Sequence, residues 1–115
     1  MDTMTKRYNL FNDRRKSLRK PFKAPVTLRL SNVIKGSGSL KDITIDSACI
    51  VAPELFAFLR PEQSDIFQDA ELAVCLPSES LTLRGKIIRV NPFENELAIT
   101  ILQTSNDEKW MELCR

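Results

Sequence analysis

Short runs in which every second residue is apolar, separated by turn-forming residues, constrain this chain more than any other feature. In Val26-Thr27-Leu28-Arg29-Leu30 the apolar side chains fall on one parity. Such a run is a strand with one buried face, here Val26, Leu28 and Leu30. Ser39 to Ile45 reads the same way, with Ile43 and Ile45 on one face and Asp42 and Thr44 on the other. Ala48 to Val51 is a short apolar strand, and Ala70 to Leu76 follows as the next. Leu81 to Val90 changes phase, since Leu81, Leu83 and Ile87 share one parity and Ile88 and Val90 the other. That slip predicts a β-bulge between Gly85 and Ile88. Leu97, Ile99 and Ile101 resume the alternation.

The punctuation fits the same picture. Lys35-Gly36-Ser37-Gly38, Asp46-Ser47, Pro77-Ser78-Glu79-Ser80 and Asn91 to Asn95 read as turns, with glycine admitting positive φ in the first. Leu55, Phe56, Phe58 and Leu59 form one apolar helical turn before Pro61, expected to cap a barrel mouth, with an exposed partner patch as the sharper alternative. Ser105 and Glu108 have the spacing of a capping box, which starts a short helix at 105–114. Trp110 and Leu113 are expected to dock it, because a helix this short is marginal alone. About six short strands, hairpin turns and one terminal helix define an all-β antiparallel barrel or sandwich.

Composition narrows the function. The 115 residues suit one domain, and no apolar run approaches the roughly 20 residues that span a bilayer. The N-terminus lacks an apolar export signal, so the expected location is the cytoplasm, without membrane insertion. There is no histidine, which removes the commonest metal ligand and general base. Cys49, Cys75 and Cys114 are too widely spaced for a metal knuckle and odd in number for a disulfide framework. No metal site, cofactor or enzyme activity is expected. Charge is uneven: residues 1–23 hold eight basic and two acidic groups, a net of +6, and the remainder nine and thirteen, a net of −4. A basic arm on a mildly acidic body suits an anionic partner; a solvated tail is the blander reading.

Two clusters stand out, Arg14-Arg15-Lys16-Ser17-Leu18-Arg19 and Asp42-Ile43-Thr44-Ile45-Asp46-Ser47. Together, in this order, they resemble the two signatures of the PilZ family: RxxxR before the barrel (Arg15, Arg19) and [D/N]xSxxG at a strand turn (Asp42, Thr44, Ser47). The resemblance covers roughly residues 14–113. It implies a six-stranded antiparallel PilZ-type β-barrel with one C-terminal helix. The organisation is then a flexible tail at 1–13 and a single domain at 14–115, with arm 14–23, barrel 24–103 and helix 105–114.

The implied function is a bacterial receptor for cyclic di-GMP that passes second-messenger level to a protein partner by ordering its basic arm. The ligand-binding residues would be Arg14, Arg15, Arg19, Asp42, Thr44 and Ser47. Arginine offers a planar fork to phosphate or to guanine O6 and N7, and Asp42 can accept from guanine N1–H and N2. In the family an arginine before RxxxR accompanies a stacked ligand pair, so Arg14 implies two molecules per chain. Threonine stands for the usual serine and serine for the usual glycine. A positive φ at Ser47 would cost about 1–2 kcal/mol. The alternative is therefore a degenerate module that binds no nucleotide and serves as a protein–protein adaptor. A nucleic-acid binder fits less well, because no strand carries the aromatic spacing of a base-stacking platform.

Overall fold

The computed structural model describes residues 19–57 and 65–115. Arg14, Arg15, the 1–13 tail, Phe58 and Leu59 lie outside the described residues. The strands are β1 (Lys20–Arg29), β2 (Lys35–Ile43), β3 (Ser47–Val51), β4 (Glu71–Leu76), β5 (Leu81–Asn91) and β6 (Glu96–Thr104). Two helices accompany them, α1 (Pro53–Phe56) and α2 (Asp107–Cys114). All neighbours are antiparallel and the sheet closes on itself in the order β1-β2-β3-β6-β5-β4. The expected six-stranded antiparallel barrel with one terminal helix is the architecture found.

Alternation dictates the interior. Val26, Leu28, Leu72, Val74, Leu76, Leu81, Leu83, Ile87, Leu97 and Ile99 point inward and are buried. Leu30 is only half-buried, packed against the edge of this core. Leu55, Phe56 and Phe67 are buried with them, the two phenylalanine rings meeting edge-on with centroids 5.3 Å apart. Leu55 and Phe56 therefore belong to the core and not to an exposed patch. The phase slip in β5 is the register shift at Ile87/Arg89, where Ile88 turns outward unpaired; a second shift at Arg84/Gly85 leaves Leu102 of β6 unpaired instead.

Three local expectations are corrected. Lys35 to Gly38 is strand, not turn. The chain reverses earlier, where Leu30 N–H and Ser31 N–H donate to the Ile34 carbonyl and Ser31 Oγ accepts from Val33 N–H and Ile34 N–H. Neither Gly36 nor Gly38 has positive φ. Gly38 is needed for room, since a Cβ there would strike the Val51 carbonyl and approach Leu28 Cδ1 to 3.2 Å. Ile45 is not inward but 45 % exposed, because β2 ends at Ile43 and Ile45 sits in the hairpin turn. The helix cap is Asn106, not Ser105: Asn106 Oδ1 accepts from Lys109 N–H at 3.1 Å. Ser105 instead prolongs the barrel ladder, its Oγ accepting from Thr82 N–H and its N–H donating to the Thr82 carbonyl, 2.9 Å each.

Candidate functional site

The site residues converge through a bulge and a hairpin. In β2 the register against β3 shifts between Leu40 and Asp42. Leu40 and Ile43 can then both face the core although they are three apart, which leaves Asp42 on the outer wall opposite Cys49. On the other side β1 pairs Lys20 with Ile43 and Pro21 with Asp42. Arg19, one residue earlier, thus lies level with the β2–β3 turn. Its Nε is 3.6 Å from Asp42 Oδ1, with the Asp42 side chain 17 % exposed and that of Arg19 52 %. An exposed pair like this is worth no more than about 1 kcal/mol. Among the described residues the remaining guanidinium donors make no further ion pair.

The turn joining β2 to β3 is closed by its own side chains. Thr44 N–H donates to the Ser47 carbonyl at 2.9 Å. Thr44 Oγ1 accepts from Asp46 N–H at 3.2 Å and Ser47 N–H at 3.1 Å, and lies 2.9 Å from Ser47 Oγ. Ser47 is not among the residues with positive φ. Serine therefore fits here without the left-handed strain expected of a glycine position. Its effect is chemical: its hydroxyl engages the Thr44 hydroxyl.

The C-terminal helix braces this turn. Trp110 is 3 % exposed and its indole Nε1–H donates to the Ile45 carbonyl at 3.0 Å. Cys114 Sγ donates to the Thr44 carbonyl at 3.4 Å. Lys20 Nζ donates to the carbonyls of Leu113 and Arg115, 2.8 Å each, at the helix end where a cation is favoured. Arg19, Asp42, Thr44 and Ser47 are thereby brought to one end of the barrel wall, with Lys20 and Trp110 behind them. The sequence reading gave Trp110 only a packing role. Its hydrogen bond to the turn depends on where the helix lands, which no local pattern encodes.

The outer wall continues past Asp42 in register. Asp42 pairs with Cys49, Cys49 with Ala98, and Ala98 with Arg89, one residue from each of β2, β3, β6 and β5. A depression of about 240 Å³ lies over this row, lined among others by Cys49, Arg89, Glu96 and Ala98. Glu96 Oε2 accepts from Lys41 Nζ at 2.8 Å and Glu96 Oε1 from Cys49 Sγ at 3.6 Å. The Lys41 ammonium holds the Glu96 carboxyl below its usual range, with Arg89 adding a smaller pull in the same direction. Burial pushes the Cys49 thiol up to about 11, with the Glu96 and Asp42 carboxylates adding to it.

No protein-family model matches the chain, and no curated protein matches its sequence. Solved structures do match its fold. The PilZ domain of CeSA from a cellulose-synthesizing bacterium superposes with a TM-score of 0.60 at 18 % identity, over 84 % of this chain and 93 % of that one. The Bacillus subtilis inhibitor of motility MotI/DgrA gives 0.53 at 14 % identity, over 84 % of this chain and 47 % of that one. The chain thus has a PilZ-like β-barrel fold. Among the described residues no helix is long and apolar enough to cross a membrane.

Proposed function

We propose that this protein is a non-enzymatic, cytoplasmic cyclic di-GMP receptor that reports to a protein partner. The carrying observation is that Arg19 and Asp42 meet beside the Thr44–Ser47 turn on the wall of a PilZ-like barrel. Asp42 would accept from guanine N1–H and N2, and Arg19 would turn its free donors to phosphate or to guanine O6 and N7. Arg14 and Arg15 would close over the ligand from the preceding segment, Arg14 adding a second ligand molecule. Closure of that segment on the ligand would change the surface offered to a partner.

Isothermal titration with cyclic di-GMP tests the reading. Micromolar or tighter binding is expected, weakened about tenfold to a hundredfold by Arg19→Ala, the range of one bidentate arginine contact. Absence of heat from the wild type at high micromolar concentration rejects it. The adaptor reading is favoured by one observation, the engagement of Thr44 Oγ1 by the Ser47 hydroxyl. Ser47→Gly separates the two: a receptor gains at most about tenfold in affinity, whereas an adaptor that binds nothing as wild type would acquire binding outright.

A further inference from the structure

The depression over Cys49 and Ala98 has a chemistry that the Arg19–Asp42–Thr44 cluster does not use. Its floor is formed by the small outward side chains of β3 and β6, and Ala98 lies outside the core cluster although little of it is exposed. On one side stands Arg89, which makes no ion pair among the described residues. On the other stands Glu96. One of its oxygens is taken by Lys41, while the other, among the described residues, receives only a long contact from a thiol, a weak donor. That second oxygen keeps most of its accepting capacity. A wall this small between a five-donor cation and an under-used carboxylate leaves room for a flat ring with donors on one edge and acceptors on the next.

Guanine is such a ring. Its N1–H and N2 amino group donate together, and its O6 and N7 accept together. Adenine offers a carboxylate no paired donors. The open Glu96 oxygen only accepts, and a phosphate oxygen gives it no donor, so this oxygen suits a base edge and not a phosphate. Strands lie about 4.8 Å apart, so the floor begins roughly 5 Å from Asp42 and Arg89 stands about 14 Å away along the row. One molecule carrying two guanines could reach both places.

We propose that this depression is a second guanine-reading subsite, in which Glu96 accepts from N1–H and N2, Arg89 donates to O6 and N7, and Cys49 with Ala98 forms the floor. This rests on the receptor reading above. It makes Arg89 and Glu96 determinants of guanine over adenine, on strands β5 and β6 that carry neither motif.

Calorimetric titration of the full chain with cyclic di-GMP and cyclic di-AMP tests it, using Arg89→Ala, Glu96→Gln and Ala98→Phe with folding checked by circular dichroism. Arg89→Ala is expected to weaken cyclic di-GMP binding about tenfold to a hundredfold. Ala98→Phe, which fills the depression from the outer wall, is expected to do at least as much. Glu96→Gln is expected to narrow the preference for cyclic di-GMP over cyclic di-AMP. If Arg19→Ala weakens binding while Arg89→Ala and Ala98→Phe stay within twofold of wild type, the subsite is overturned and the receptor reading stands. If the wild type binds no cyclic di-GMP, both are overturned.

Discussion

Removing the indole of Trp110 should separate the C-terminal helix from the barrel. The side chain is almost wholly buried and its N–H is bonded to the Ile45 carbonyl. Trp110→Ala forfeits the packing of a large aromatic and leaves a cavity, a change that costs about 3–5 kcal/mol. Trp110→Phe keeps a ring but loses the hydrogen bond. Because Ile45 is itself half exposed, water can reach its carbonyl, and the bond contributes near the low end of its range, about 1 kcal/mol. The smaller ring adds about another 1 kcal/mol of lost packing, for a total of about 2 kcal/mol. A domain of this size loses about 4 °C of Tm per kcal/mol. The phenylalanine variant should therefore melt about 8 °C lower and the alanine variant about 12–20 °C lower. Urea unfolding followed by circular dichroism measures both, with the slope unchanged if the native state remains compact. An eight-residue helix cannot persist undocked, so Trp110→Ala should also lose helical signal under native conditions. A Trp110→Ala protein within 1 kcal/mol of wild type, with its helix intact, would refute the argument that this side chain holds α2 and the turn together.

Two further outcomes follow from the packing and from the thiols. Gly38→Ala should cost about 2–3 kcal/mol, because its Cβ meets the fixed Val51 carbonyl, and Gly36→Ala about 1–3 kcal/mol, because its Cβ would come within 2.8 Å of Glu54 Cβ and of the Oε1 that accepts from Ser37 N–H; a loss near zero in urea for either would contradict this. Burial raises both the Cys49 and the Cys114 thiol to about 11, so the folded protein holds protons that the unfolded chain releases above about pH 8.5. Stability from these groups is complete below that pH and falls as pH rises toward 11. Alkylation of the two thiols at pH 8 should run about a hundredfold slower than that of a free cysteine, and a rate equal to the free thiol's would oppose the assignment.

The barrel was legible because its signal is local. A period of two survives in single strands, and the change of phase in β5 marks Ile88, a residue the ladder cannot pair. The misreadings share one cause. Gly36 and Gly38 look like a turn by composition, yet their role is to let α1 and the end of β3 approach β2, a contact between segments distant in sequence. The β2 bulge at Lys41 was hidden because a strand interrupted by one extra residue still alternates on either side of it. Ser105 and Glu108 have capping-box spacing, but the barrel ladder claims Ser105 first. For the candidate site, Asp42, Thr44 and Ser47 could be named because their order resembles a family signature. The alignment of Cys49, Ala98 and Arg89 with Asp42 could not, since it exists only once four strands have chosen their register.

The tie between the indole and the turn also equips the protein with an optical reporter. Trp110 is the only tryptophan in the chain, and its ring is fastened to the peptide joining Ile45 to Asp46. Any event that shifts that peptide changes the polarity and hydrogen bonding around the one indole, and so the colour and intensity of its fluorescence. The state of the turn can therefore be followed in the unlabelled protein, in real time, against a background from a single tyrosine.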